Sequence, residues 1–335
     1  VFVQPTFDKA GQKLAFLYTD DKKEKDYTMG LWISENGGAA RELANRTTTG
    51  LPEGWVISPN QRLSFSDDAA RLFLGTAPAP LRKDTTILAA NRPNVQVWKW
   101  DEPVQYTVQH YNVKRDLKKS YAAIYWLNEN KLVQVADVEL PDAQLPVKGM
   151  GEWAIVSTSE PYSLSSMWEG RTRSDYYKVS LTNGERTLIA KADYAGYRLS
   201  PAGKYVSTYN ATDSCWYTIN LADNRKIQLT TPQTFPAWDE DNDTPNYPYA
   251  HGSAGWTKDD ATLLIYDRYD IWSFDPAGKK QPIRLTKNGR ESKITYRPII
   301  VDREEIFMDL NKPMLMTGFN EVDKSTGIYS ARVSK

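Results

Sequence analysis

The residues able to do covalent chemistry come down to one short run, His251-Gly252-Ser253-Ala254-Gly255. A serine nucleophile needs G-x-S-x-G on a sharp turn from strand into helix, which exposes the hydroxyl and builds an oxyanion hole beside it. Here His251 replaces the first glycine, no apolar strand leads in, and a turn and a strand follow instead of a helix. Ser253 therefore reads as a loop residue, and no catalytic residue is assigned. A triad also needs a histidine, and the chain holds two, His110 and His251. His110, in Val108-Gln109-His110-Tyr111, reads as a strand residue rather than a base. The lone cysteine, Cys215, has no partner for an internal disulfide, and Ser214 and Trp216 beside it supply no positive charge to make a thiolate. It reads as a small buried residue.

Binding chemistry is better represented. Asp239, Asp241 and Asp243 alternate along an acidic loop, a spacing that offers oxygens to a cation or to a substrate ammonium. A calcium loop of the EF-hand type counted from Asp239 would need Gly and Glu where Thr244 and Ala250 stand, so that motif fails and the simplest reading is a solvated connection. Arg268, in Asp267-Arg268-Tyr269-Asp270, sits between two apolar runs; it either pairs with a neighbouring carboxylate or faces a substrate. Arg171 and Arg173 have the forked geometry to hold a peptide carboxylate or carbonyl, although a salt bridge to Glu169 or Asp175 is the commoner use. These six, Arg171, Arg173, Asp239, Asp241, Asp243 and Arg268, are the candidate substrate-binding residues. No metal and no cofactor is expected.

Such residues need a scaffold, and repetition along the chain supplies one. The stretch 252–286 carries a polar turn around Lys258-Asp259-Asp260, the apolar run Leu263-Leu264-Ile265-Tyr266, a break at Asp267-Arg268-Tyr269-Asp270, the alternating Ile271-Trp272-Ser273-Phe274, the turn Asp275-Pro276-Ala277-Gly278 and a returning strand over 281–286. Polar turns leading into apolar strands recur at 9–16, 66–74 and 200–206, and aromatic-rich strands ending in hairpin turns recur at 31–38, 123–130, 176–184 and 216–224. The aromatic strands beginning at 176, 216 and 271 lie 40 and then 55 residues apart, within reach of the spacing of propeller blades with insertions.

The fold class expected is all-β, a β-propeller of four-stranded antiparallel blades. About six blade fragments are recognisable, with about 6–8 expected in the intact protein. The chain is expected to start inside a blade and to stop just after a strand over 328–333, leaving its last blade incomplete; the whole of 1–335 is taken as a propeller fragment of a longer protein. Only 113–120 reads as a short turn of helix.

Lys plus Arg and Asp plus Glu both number 42, so no global field steers the chain toward nucleic acid or an anionic membrane. The runs 20–26 and 114–119 mix signs or lack interleaved aromatics and read as solvated loops. No apolar run approaches the ~20 residues of a membrane helix. The first residue is Val1 and no signal-peptide pattern follows it, so targeting information is expected to lie outside the sequence.

Taken together, Ala254-Gly255-Trp256-Thr257-Lys258-Asp259-Asp260, Tyr266-Asp267-Arg268-Tyr269-Asp270-Ile271-Trp272, Leu285-Thr286 and Gly289-Arg290 resemble the N-terminal propeller of bacterial prolyl oligopeptidase family serine peptidases, of the dipeptidyl or acylaminoacyl peptidase kind. Val97-Trp98-Lys99-Trp100-Asp101, Leu199-Ser200-Pro201-Ala202-Gly203-Lys204-Tyr205, the acidic loop from Asp239 to Asn246, Lys312-Pro313-Met314-Leu315 and Lys324-Ser325-Thr326-Gly327-Ile328-Tyr329 agree with it. The resemblance implies a downstream α/β-hydrolase domain carrying a Ser-Asp-His triad, periplasmic or secreted localisation, and short peptides as ligands. It also implies that this chain alone is inactive and gates access to its hydrolase domain. Two other classes stay open: a free-standing propeller binding a protein or glycan, and a propeller glycoside hydrolase working through two facing carboxylates.

Overall fold

A computed structural model of the protein describes residues 1–81, 86–92, 95–302 and 304–332. The described residues form six antiparallel sheets in chain order, and in all but the second each strand pairs with its neighbours in sequence. The first joins Phe2–Phe7, Lys13–Tyr18, Gly30–Glu35 and Arg41–Ala44. The second joins Trp55–Ser58, Arg71–Pro78, Tyr121–Trp126 and Lys131–Gln134, with Ser64–Phe65 also pairing along Arg71–Pro78. Asp142–Gln144, Trp153–Thr158, Ser174–Ser180 and Arg186–Asp193 make the third, and Tyr197–Leu199, Tyr205–Asn210, Cys215–Asn220 and Lys226–Gln228 the fourth. The fifth holds Ser253–Trp256, Leu263–Tyr266, Ile271–Phe274 and Ile283–Arg284, and the sixth Ile294–Pro298, Met314–Asn320 and Thr326–Ala331. A succession of four-stranded antiparallel meanders is the repeat of a β-propeller.

The chain divides into two compact units, the first three sheets in one and the last three in the other. In the first, Leu17, Leu31, Ile33, Ile57, Leu72, Leu74 and Ala123 share one core. In the second, the strand Leu263–Tyr266 shows why its sequence is apolar without alternation. Leu263 and Ile265 pack with Trp216, Phe235 and Phe274 on one face, while Leu264 packs with Ile271, Met314 and Met316 on the other. Successive side chains point to opposite faces of a strand, so a strand covered on both faces must be apolar at every position. Burial of each such Leu or Ile contributes about 1.5–3 kcal/mol.

Several expectations are corrected. A first strand not marked by the sequence, Phe2–Phe7, forms one edge of a four-stranded sheet, its regularity broken by a bulge between Val3 and Thr6 that hides the alternation. His110 lies in a helix, Tyr106–Asp116, and not in a strand, and the helical turn expected over 113–120 belongs to the end of this longer one. The helix buries none of its residues, so it has no apolar period by which sequence could reveal it. A second helix, Ser163–Glu169, stops at Gly170, whose φ of 66° supplies the left-handed cap. Ser253 begins a strand where a loop was expected, and the return strand expected over 281–286 is only Ile283–Arg284. In the final hairpin the last strand ends at Ala331; Val333, expected within it, lies outside the described residues.

Candidate functional site

The fifth sheet has two ends, because the strand Leu263–Tyr266 leads from the turn around Asp260 to the turn 267–270. At the first end Asp260 is 1% exposed and takes up the neighbouring sheet's turn: its carboxylate accepts from the Ser200 hydroxyl at 2.5 Å and from the Ala202 and Lys204 amides at 3.0 and 3.1 Å. Asp259 and Asp260 both adopt left-handed φ of 57°, which aspartate tolerates better than most residues. This end is closed: a buried acid fully satisfied by protein donors.

The other end is built around two buried aspartates. Asp267 folds the turn over itself, its Oδ1 accepting from the Tyr269 amide at 2.8 Å and the Asp270 amide at 2.5 Å, while Oδ2 accepts from Trp272 Nε1 at 3.1 Å. Asp270, with no exposure, accepts from Thr286 Oγ1 at 2.7 Å, from the Gly289 and Arg290 amides at 3.3 and 3.1 Å, and from Arg284 Nη2 at 2.6 Å. A Cβ at position 289 would stand 2.6 Å from Asp270 Oδ1, so only glycine allows the approach.

Outside this buried pair lies a ring of guanidinium and carboxylate groups. Arg268 grips Glu321 with two bonds of 3.1 Å and reaches Asp241 at 2.7 Å. Those bonds, to Asp241 and then Glu321, push the Arg268 pKa up. Burial works to raise Glu321, but the hydrogen bonds from Arg268 and Tyr269 outweigh it and hold its carboxyl below the ordinary glutamate value. Arg290 holds Glu240 with two bonds of 3.1 and 3.0 Å. The Arg268 and Arg290 guanidiniums both lie over the Tyr269 ring, at 5.3 and 5.2 Å from its centroid. Arg268 of the turn 267–270 and Arg290 of the short helix Gly289–Ser292 thus pin the acidic loop 239–243 to this end.

Of the sequence-predicted residues, Arg268 and Asp241 are brought together as an ion pair. Asp239 orders the loop, accepting from the Asp241 amide at 3.1 Å, and Asp243 stays exposed. Arg171 and Arg173 belong to the other unit. Arg173 is bound by Glu169 and the Ser165 hydroxyl and lies over the Tyr162 ring, and Arg171 is partly buried. Glu321, Glu240, Arg284 and Arg290 also belong to this end, though none was a candidate binding residue in the sequence. Glu321 is 53 residues from Arg268 and sits in a turn of ordinary composition, so nothing local marks it. Ser253 is exposed and has no hydrogen bond to either histidine among the described residues. The arrangement holds charge of both signs at one end of the sheet; among the described residues it brings no nucleophile and base into contact.

No family model matches the chain, and no curated protein matches it. Among solved structures it is similar to the dipeptidyl peptidase 4 of Porphyromonas gingivalis, at 13% identity and a TM-score of 0.42, over 96% of this chain and 44% of that one. It is also similar to the β-propeller domain of the Trilobed protease from Pyrococcus furiosus, at 7% identity and a TM-score of 0.36, over 99% of this chain and 82% of that one. An oligogalacturonate lyase in complex with manganese is similar at 13% identity and a TM-score of 0.37, over 99% and 76%. The chain spans under half the length of the P. gingivalis peptidase. Likenesses this distant carry no statement about activity; the fold class rests on the strand pairing.

Proposed function

We propose that this chain is the non-catalytic propeller domain of a periplasmic or secreted serine peptidase of the prolyl oligopeptidase family, gating and orienting short peptides for its own α/β-hydrolase domain. One observation carries the reading. The residues on which the resemblance rests, Trp256, Asp260, Asp267, Arg268, Tyr269, Asp270 and Trp272, are the same residues that build the two ends of the fifth sheet, and one of those ends gathers the charges a peptide's termini need. The exposed Asp239, Asp241 and Asp243 suit a peptide ammonium, and the arginines suit carbonyl and carboxylate oxygens. Ser253 at a strand start, without a following helix, supports a domain with no nucleophile of its own.

A second reading, a free-standing binding module for a protein or glycan, is favoured by the aromatic surface of the first unit, where Trp98, Trp100 and Trp168 are 65%, 93% and 85% exposed. Incubating the chain, and separately the full-length product of its gene, with short chromogenic peptides and a serine-directed fluorophosphonate separates the two. Turnover and labelling by the full-length product alone support the peptidase reading; labelling of neither favours the binding module.

A further inference from the structure

At the charged end of the fifth sheet one arginine has no carboxylate partner among the described residues, and a buried histidine nitrogen has no hydrogen bond. Arg297, in the strand Ile294–Pro298, lies over the Tyr266 ring with its guanidinium 4.2 Å from the centroid. Tyr266 in turn packs on the backbone beside His251: its amide bonds to the Gly252 carbonyl at 3.1 Å, and a Cβ at Gly252 would touch its ring at 3.7 Å. Arg297 donates to the carbonyls of Tyr296, Asp267 and Arg268, at 2.7, 3.5 and 3.2 Å. Unlike Arg268, Arg284 and Arg290, it has no carboxylate within ion-pair distance among the described residues. The three bonds of Arg297 come from its Nη atoms, and the buried His251 Nε2 has no hydrogen-bond partner.

We propose that Arg297, His251 and Tyr266 form a subsite for a carboxylate, the C-terminus or an acidic side chain of a short peptide. A partly buried guanidinium held only by backbone carbonyls, with no carboxylate paired to it, is well matched to a carboxylate, and a buried imidazole nitrogen left unsatisfied costs free energy that a bound oxygen recovers. Nearby acids do not fill the place. Asp267 is occupied by its own turn and Trp272, Asp270 by Arg284 and backbone amides, Glu240 by Arg290, and Asp239 by the Asp241 amide. Burial, and next the Arg297 charge, hold His251 below the ordinary imidazole value, while Asp239, Glu240 and Asp267 oppose this. With its ring proton on Nε2, a neutral His251 donates that N–H to a bound carboxylate oxygen.

The inference deepens the peptide reading above by naming the group bound, and its test is independent of catalysis. With only two histidines, the chain gives a simple imidazole ¹⁵N spectrum. The full chain is titrated with N-acetyl-dialanine as the free acid, with the same peptide as its carboxamide, and with N-acetyl-glutamyl-alanine carboxamide. Expected is a saturable shift of the His251 ring signals with one or both carboxylate probes and none with dialanine carboxamide, while the His110 signals stay in place. Arg297→Gln should weaken that binding about 10- to 100-fold, the range of a lost charge-assisted hydrogen bond. His251→Gln, read by backbone amide shifts, serves if the arginine variant does not fold. Equal shifts with acid and carboxamide, no shift with any probe, or unaltered binding in both variants would overturn the subsite. Fluorophosphonate labelling of the full-length product is unaffected by any of these outcomes, so the two readings fail separately.

Discussion

The two ends of the fifth sheet use the same residue type to opposite effect. At one end Asp260 meets three donors from the fourth sheet's turn, and no buried side-chain polar atom there is left without a partner. At the other, Asp267 and Asp270 are as well satisfied, but they support an outer ring whose members compete for each other and leave His251 Nε2 and Arg284 Nε buried without a hydrogen bond. Satisfied buried acids hold a fold together; incompletely satisfied polar groups are what a ligand can use. Each end can be tested for which of these it is.

The largest effect is expected from Asp270→Ala. Removing it strips the charge from beside Arg284 and leaves the Thr286 hydroxyl and two amides without an acceptor. Breaking one side of a buried ion pair costs about 3–5 kcal/mol, to be read as a lower urea midpoint with unchanged slope. Asp260→Ala should follow at about 3 kcal/mol, since it orphans one hydroxyl and two amides but no charge. A cost below ~0.5 kcal/mol, the range of an ordinary surface substitution, would remove the closed end from the account.

Arg268→Gln comes next, at about 1–2 kcal/mol, because the pair with Glu321 is only part-buried. A double-mutant cycle with Glu321→Gln should show the two losses failing to add, and additive losses would mean the contact is not coupled. Glu321 also fixes a pH dependence. Its folded pKa lies below the ordinary value of 4.5, so its contribution is fully present above that value and is lost as pH falls through the lower folded one. Acid unfolding of Glu321→Gln should therefore show a shallower decline below pH 4.5 than the unaltered chain. The smallest effect on stability belongs to Asp243→Asn, within ~0.5 kcal/mol for an exposed side chain, with any loss appearing instead in binding of a peptide carrying a free amine.

Much of the scaffold was legible in the sequence. Leu263-Leu264-Ile265 reads as a buried strand because both of its faces are covered, and the turns at Lys258-Asp259-Asp260 and Asp275-Pro276-Ala277-Gly278 fall where polar and glycine-containing runs put them. The helix Tyr106–Asp116 was not, because periodicity is written by burial and this helix buries nothing. The site was legible in pieces. Arg268 and the acidic loop stand out by composition, but their meeting depends on strands that return the chain 27 positions apart, Asp241 to Arg268, and Glu321 at 53 is more distant still. His251 was weighed as part of a failed nucleophile motif; its relation to Arg297, 46 positions on, depends on the strand pairing that sets Tyr266 beside Gly252 and under the Arg297 guanidinium.

The most direct test of the division between ends is photo-crosslinking of the full chain with a short peptide that keeps a free amine and a free carboxylate and carries a benzophenone at its centre, followed by mapping of the labelled segments. Label is expected in 239–251, 266–270 and 294–298, reduced by unlabelled peptide and by Arg297→Gln. Label confined to 200–204 and 258–260, around Asp260, would contradict it.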